Sequence, residues 1–296
     1  MRSVLRKMVY AVGLVITGLV VTLVYTVNEM INRPVLANPG RLSDNDYTEL
    51  KGRTEDGIDI YAVFYKGAPE AATIVLCHGH GVNLMRMDDM VAFLRRAGYS
   101  LLIPDFRAHG RSGGKYCTIG LHEWKDLRAA IDAAKEKGLI ASTTPIAAYG
   151  RSMGAATLIN GAENLPEIKA FILESSFESL RKIAARDAWN NFMIPDTPVT
   201  DLAFWITQQV TGIDYASNSP ESKTRGISNR PVFLIHDEKD IRADMNAFSS
   251  LKGRLPQAQT WSVPDAWHVC AHHKAPVEFE MRFLNFLFMS GVPGRQ

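Results

Sequence analysis

Gly150-Arg151-Ser152-Met153-Gly154 places a serine between two glycines. It follows the apolar run 146–149 and precedes the helical run Ala155, Ala156, Leu158 and Ile159. A G-x-S-x-G in strand–turn–helix context forces a strained turn at the serine, and the glycines let strand and helix approach closely. The hydroxyl is then held at a helix N-terminus, where unpaired amides and the dipole favour developing negative charge. Ser152 is the candidate nucleophile. A serine hydroxyl also needs a base to take its proton and a carboxylate to orient that base.

Both are available late in the chain. After the apolar run 231–235 comes His236-Asp237-Glu238-Lys239-Asp240, with three carboxylates. After 260–263 comes Pro264-Asp265-Ala266-Trp267-His268, with a histidine. Ligands of parallel α/β sheets gather beyond the carboxyl ends of the strands, where all of these residues fall. The order Ser, acid, His is the one expected of a nucleophile-elbow hydrolase. His268 and His272 have the spacing of a metal pair on one helix face, and His78 and His80 could add ligands. No carboxylate ligand accompanies them at a recognisable spacing and no H-E-x-x-H occurs, so no metal is expected.

The elements that must position these groups read as alternating strands and helices. Apolar runs at 72–77, 100–103, 146–149, 169–173 and 231–235 suggest strands buried on both faces, and 58–65 alternates like a strand near a sheet edge. Helical stretches are expected at 84–97, 119–137, 243–251 and 277–288. Strands covered by helices on both faces imply an α/β fold with a mostly parallel sheet. Between 174 and 230 the pattern breaks into scattered aromatic residues and prolines. A connection of that length reads as a lid insertion lining the pocket, with packing for helices on one side of the sheet as the alternative, and Trp267 beside His268 is expected to narrow the pocket mouth.

From about residue 58 to 290 the chain resembles an α/β-hydrolase, of the single-domain serine esterase and peptidase-like kind. Four motifs carry the resemblance: His78-Gly79, Asp105-x-Arg107-x-His109-Gly110-x-Ser112, the elbow, and the Asp–His tail. It implies Ser152 as nucleophile, His268 as base and Asp240 as acid, with Asp237 the rival acid and Glu238 third. It also implies an oxyanion hole from the backbone N–H groups of His80 and Met153. The Asp105–Ser112 loop is expected to be structural. The implied activity is hydrolysis of carboxylic esters or thioesters through an acyl-enzyme, with no cofactor. An aminopeptidase or amidase on the same residues is the alternative, and a non-catalytic binding module of the same fold a weaker one.

Composition limits the rest. The 296 residues are 46% hydrophobic and 22% charged, with a net charge of +2 and no basic stripe, which argues against nucleic acid as a partner. Cys77, Cys117 and Cys270 form no C-x-x-C pair and imply no disulfide framework. Residues 8–27 carry no charge and would make a helix about 30 Å long, the thickness of a bilayer core. Arg2, Arg6 and Lys7 precede them, so the N-terminus is expected in the cytoplasm and the remaining chain outside. The expected organisation is an anchor at 1–27, a juxtamembrane linker at 28–50 and the hydrolase domain at 51–296. Partners are then a small ester, thioester or amide substrate and, through the N-terminal helix, a membrane.

Overall fold

A computed structural model describes residues 42–193 and 195–294, with scattered positions between Arg6 and Asn28. Nine of the twenty residues of the expected membrane span, and residues 29–41 of the expected linker, lie outside the described residues. The positions of the span that are described are helical, and Met8, Tyr10, Leu14, Val20, Val21 and Val24 are exposed. Among the described residues no helix is long and apolar enough to cross a membrane.

Eight strands form one sheet: β1 (Thr48–Arg53), β2 (Asp59–Tyr65), β3 (Thr73–Cys77), β4 (Ser100–Pro104), β5 (Ile146–Arg151), β6 (Ile168–Glu174), β7 (Val232–Asp237) and β8 (Gln259–Val263). Their order is β1-β2-β4-β3-β5-β6-β7-β8. β1 and β2 pair antiparallel with each other and β2 antiparallel with β4, while β4 to β8 run parallel. The domain begins earlier than expected, because Leu42 is buried in the core and β1 starts inside the expected linker. Strand β1 is charged and mostly exposed, as an edge strand should be, and hides from a pattern that looks for apolar runs. Strand β2 therefore lies one place in from the edge and is almost wholly buried.

Period-two alternation sends β-strand side chains to two separate cores. On one face, Ile74, Leu76, Tyr149, Ile172 and Phe233 meet α1 (Asp88–Arg96) and α7 (Pro276–Met289). On the other, Val75, Cys77, Ala148, Phe171 and Leu234 meet α2 (Trp124–Glu136), α3 (Met153–Gly161) and α6 (Met245–Arg254). Each buried Leu, Ile or Phe stabilises by roughly 1.5–3 kcal/mol over an exposed one. Helix α2 starts later than the expected 119, because 118–123 form a turn closed by Glu123. Its carboxylate accepts from the N–H groups of Thr118 and Gly120 at 2.6 and 2.7 Å and from the Thr118 hydroxyl at 2.5 Å.

The 174–230 insertion folds into α4 (Leu180–Phe192), α5 (Val199–Thr211) and shorter turns. It packs Phe177, Leu180, Phe204 and Tyr215 against Ala156 of α3. Trp189 and Trp205 remain exposed.

Candidate active site

The chain leaves β3 to place β4 on one side and β5 on the other, so the β3–β5 boundary is the point where the order reverses. Ser152 sits there, straight after β5. Its φ of +52° and ψ of −113° lie in a region a non-glycine residue occupies only under constraint. The constraint is visible: the Ser152 N–H donates to Glu174 O at 2.9 Å, tying the turn to the end of β6. A Cβ at Gly154 would collide with the Cys77 carbonyl, and one at Gly150 with the backbone of Gly154 and Ala155. Only glycines allow α3 to start this close to β3 and β5.

Three sequence-predicted residues meet at this turn. Ser152 Oγ lies 2.9 Å from His268 Nε2, and His268 Nδ1 lies 2.6 Å from Asp240 Oδ2. The tautomer follows from the carboxylate, which only accepts: Nδ1–H donates to Asp240, leaving Nε2 to accept from the serine hydroxyl. Asp240 is fixed in turn, since its Oδ1 accepts from the N–H groups of Arg242 and Ala243 at 2.9 and 3.0 Å. Burial alone would raise its carboxyl. The hydrogen bond and charge of His268, with the two backbone donors, outweigh burial and hold it below the ordinary range.

Asp237 stands elsewhere. It ends β7, and its Oδ2 accepts from Ser175 Oγ at 2.6 Å and Val269 N–H at 2.9 Å. Burial and the nearby Glu174 charge push its carboxyl up to about 7. It clamps the backbone beside His268 and does not touch the imidazole. Val269 itself is held at φ +60°, unusual for a β-branched residue. Glu238 lies beyond β7 and is exposed.

Met153 is the first residue of α3, so its N–H is one of those an α-helix leaves without an intrahelical partner. His80 lies in the turn after β3. That turn is pinned by two other histidines. His78 Nδ1 donates to Gly79 O at 2.7 Å while its Nε2 accepts from Phe106 N–H at 3.0 Å. His109 Nδ1 donates to Arg107 O at 2.8 Å while its Nε2 accepts from Gly81 N–H at 3.2 Å. Burial pushes His78 well below its ordinary value, and neighbouring His109 adds to the effect. The remainder of the loop after β4 is likewise bound into the fold. Arg107 pairs with buried Asp126 at 2.7 Å and Asp56 at 2.8 Å, and Asp105 accepts from the N–H groups of Leu84 and Arg111, both at 2.8 Å.

A cleft of about 670 Å³ opens above Ser152. Its walls include Gly79, Met85, Arg86, Arg242, Val269 and His273. None of the described residues of 174–230 lines it, nor does Trp267, which is 60% exposed. The expected pocket-lining lid and narrowed mouth are therefore corrected. The insertion packs Phe177, Leu180, Phe204 and Tyr215 on α3, and much of the wall comes from the stretch after β3 instead. His272 does not join His268. It lies 3.0 Å from Asp89 and 3.3 Å from Glu280.

Arg151 in the elbow could by sequence serve a substrate carboxylate or pair with a nearby acid; the partners that support the elbow were not named by the sequence. Arg151 donates to Asp89 at 2.6 and 2.9 Å and to Tyr149 Oη at 2.7 Å, and Tyr149 Oη donates to buried Glu174. Glu174 also accepts from Ala271 N–H at 3.1 Å, just past His268. Burial would raise the Asp89 carboxyl, but His272 and Arg151 hold it well below the usual range. A glutamate closing an apolar strand, Glu174, was the one signal of this network in the sequence.

Residues 68–264 match the family described as serine aminopeptidase, S33. The chain belongs to this family of α/β-hydrolases. Among its relatives is the uncharacterized protein YqkD of Bacillus subtilis, 26% identical over 284 residues, covering 86% of this chain and 88% of that one. Protein bem46 of Schizosaccharomyces pombe is 30% identical over 200 residues, covering 66% of this hydrolase and 61% of its own length. Among solved structures, the esterase Pf2001 of Pyrococcus furiosus superposes with a TM-score of 0.68 at 26% identity, covering 88% of this hydrolase and 99% of the esterase.

Proposed function

We propose that this S33-family hydrolase cleaves carboxylic esters or thioesters through an acyl-enzyme formed on Ser152. The observation that carries the reading is the line from Ser152 Oγ through His268 to Asp240, at 2.9 and 2.6 Å. Ser152 attacks the substrate carbonyl as His268 Nε2 takes its proton. Asp240 stabilises the imidazolium so formed, and the protonated Nε2 then delivers the proton to the departing alcohol or thiol. A water molecule activated by the same nitrogen hydrolyses the acyl-enzyme. The N–H groups of His80 and Met153 receive the developing oxyanion, and losing one such donor typically costs about 10²–10³ in kcat. Likeness to an esterase over nearly all of that protein's length favours the ester bond.

The family description favours a second reading, an aminopeptidase on the same residues. Residues 8–27 are proposed to anchor the enzyme in a membrane with the catalytic domain outside the cytoplasm, a reading supported by their uncharged composition and the basic residues before them.

The deciding experiment treats the full chain with a fluorophosphonate probe and then with p-nitrophenyl esters of rising chain length, thioesters and aminoacyl anilides. Labelling of wild type and none of Ser152→Ala is expected, with esters or thioesters turned over faster than anilides. Preferential cleavage of anilides would select the aminopeptidase. A folded wild type that neither labels nor hydrolyses any of them would remove the enzymatic reading.

A further inference from the structure

Behind the proposed oxyanion donors lies a second group of side chains that the hydrolytic cycle does not use. One ligand atom from each of His80, His109 and Cys117 falls within 4.8 Å of the others. His109 and Cys117 are buried, and His80 Nε2 is sealed from solvent without a hydrogen-bond partner. A lone imidazole nitrogen left unpaired in the interior normally costs about 1–3 kcal/mol. The Met153 thioether sulfur lies 3.5 Å from Cys117 Sγ, extending the group to two nitrogens and two sulfurs. His109 is oriented for ligation: its Nδ1–H donates to Arg107 O, so the lone pair is on Nε2, the arrangement metal-binding histidines use. Nothing in the sequence spacing joins these residues. The turn after β3, the loop after β4, the segment before α2 and the start of α3 bring them together.

We propose that His80, His109 and Cys117, with the Met153 thioether as a weaker fourth donor, bind a thiophilic d¹⁰ cation, Cu⁺ in preference to Zn²⁺, and that its binding lowers the activity of Ser152. Imidazole suits both metals, while thiolate with thioether favours Cu⁺. Metal bonds of 2.0–2.3 Å place ligand atoms about 3.3–3.8 Å apart, so the side chains close by up to about 1.5 Å. The Cys117 thiol gives up its proton to solvent as the sulfur–metal bond forms, and no electron moves.

The coupling to Ser152, which rests on the function proposed above, comes through two residues. His80 and Met153 supply the oxyanion donors as well as two of the ligands. The cation also takes the His109 Nε2 lone pair that now accepts from Gly81 N–H, which unhooks the turn carrying the His80 donor. Donors aimed at an oxyanion work only when held within hydrogen-bond distance of it.

The full-length reduced enzyme is titrated with Cu⁺ against a chromophoric Cu⁺ chelator, and separately with Zn²⁺, in wild type, Cys117→Ser and Cys270→Ser. One Cu⁺ per chain is expected in wild type and Cys270→Ser, with affinity about 10–100-fold weaker in Cys117→Ser. Loaded wild type should lose about a hundredfold in ester turnover and regain it on chelation. Equal affinity in wild type and Cys117→Ser overturns the site. Should Cys117→Ser fail to fold, X-ray absorption of loaded wild type decides, a shell without sulfur overturning the site. Tight Zn²⁺ with weak Cu⁺ overturns the metal preference. Binding with turnover unchanged overturns the coupling. A chain that binds Cu⁺ but never reacts with the fluorophosphonate keeps the site and removes only the role of Ser152.

Discussion

Two histidine clusters line the carboxyl edge of the sheet and differ in what their Nδ1 atoms face. His268 donates from Nδ1 to a carboxylate, Asp240, and turns Nε2 toward a hydroxyl beside an open cleft. His78 and His109 donate from Nδ1 to carbonyl oxygens and accept backbone N–H groups on Nε2. A carbonyl fixes the tautomer as well as a carboxylate does, but it brings no full negative charge to stabilise an imidazolium. The same side chain is thus placed to act as the proposed base in one cluster and serves as a pin in the other. The partner decides, and so does access to a proton that has somewhere to go.

The sharpest way to break this contrast is at the base. Ser152→Ala or His268→Ala should lower ester kcat by about 10⁴–10⁶, read in steady-state turnover, with thermal stability nearly unchanged. If either variant stays within tenfold of wild type, the two clusters do not differ in the way argued. Next in size, Asp240→Asn keeps the shape but leaves the imidazole free to take the other tautomer. A loss of about 10³–10⁴ in kcat at neutral pH is expected.

On the pin side the readout changes from rate to stability. His78→Ala strands the Phe106 N–H and should cost about 1–3 kcal/mol in denaturant unfolding. A fall in kcat with unaltered stability would mean that the pin takes part in chemistry.

The smallest expected effect separates the two aspartates. Folding raises the Asp237 carboxyl to about 7 from an unfolded value near 4, so the folded state holds a proton the unfolded state releases in between. Its contribution to stability is complete below about pH 4 and is lost as pH rises toward 7. Asp237→Asn still accepts from Ser175 and Val269 but has no charge to bury. It should be more stable than wild type at pH 8, by on the order of 1 kcal/mol, and equal to it at pH 4, with kcat within a few-fold. A kcat loss matching that of Asp240→Asn would reinstate Asp237 as the acid.

Much of this was legible in the residues. The strands β3 to β7 announce themselves as apolar runs because both their faces are covered, and Ser152 and Asp240 sit just past such runs, while His268 follows the half-exposed β8. Strand β1 was not legible, since an exposed edge strand of Thr, Glu, Lys and Arg has no apolar signature. The three carboxylates after 235 could not be ranked by spacing alone. Two more residues of strand than the apolar run place Asp237 inside β7 with its side chain toward Ser175, and only the turn that follows brings Asp240 to the imidazole. The role of the insertion was misjudged for a similar reason. Aromatic content shows that a segment buries something, whereas what it covers depends on the direction in which α4 and α5 leave the sheet. Arg151 could have served substrate or scaffold, and its contacts with Asp89, Tyr149 and Glu174 are with the scaffold.

The cleft wall drawn from Met85 and Arg86 has a consequence for how such a protein diversifies. This stretch leaves the sheet at β3 and returns to it through α1, and the hydrogen bonds that join Ser152, His268 and Asp240 include neither side chain. Met85 and Arg86 are therefore free to drift without disturbing the hydrogen-bonded line beneath them, whereas exposed Asp89 of the same stretch is held to Arg151. A lineage could change what it accepts by rewriting one short surface segment while inheriting its reaction intact, and a designer could do the same with a small library confined to that stretch.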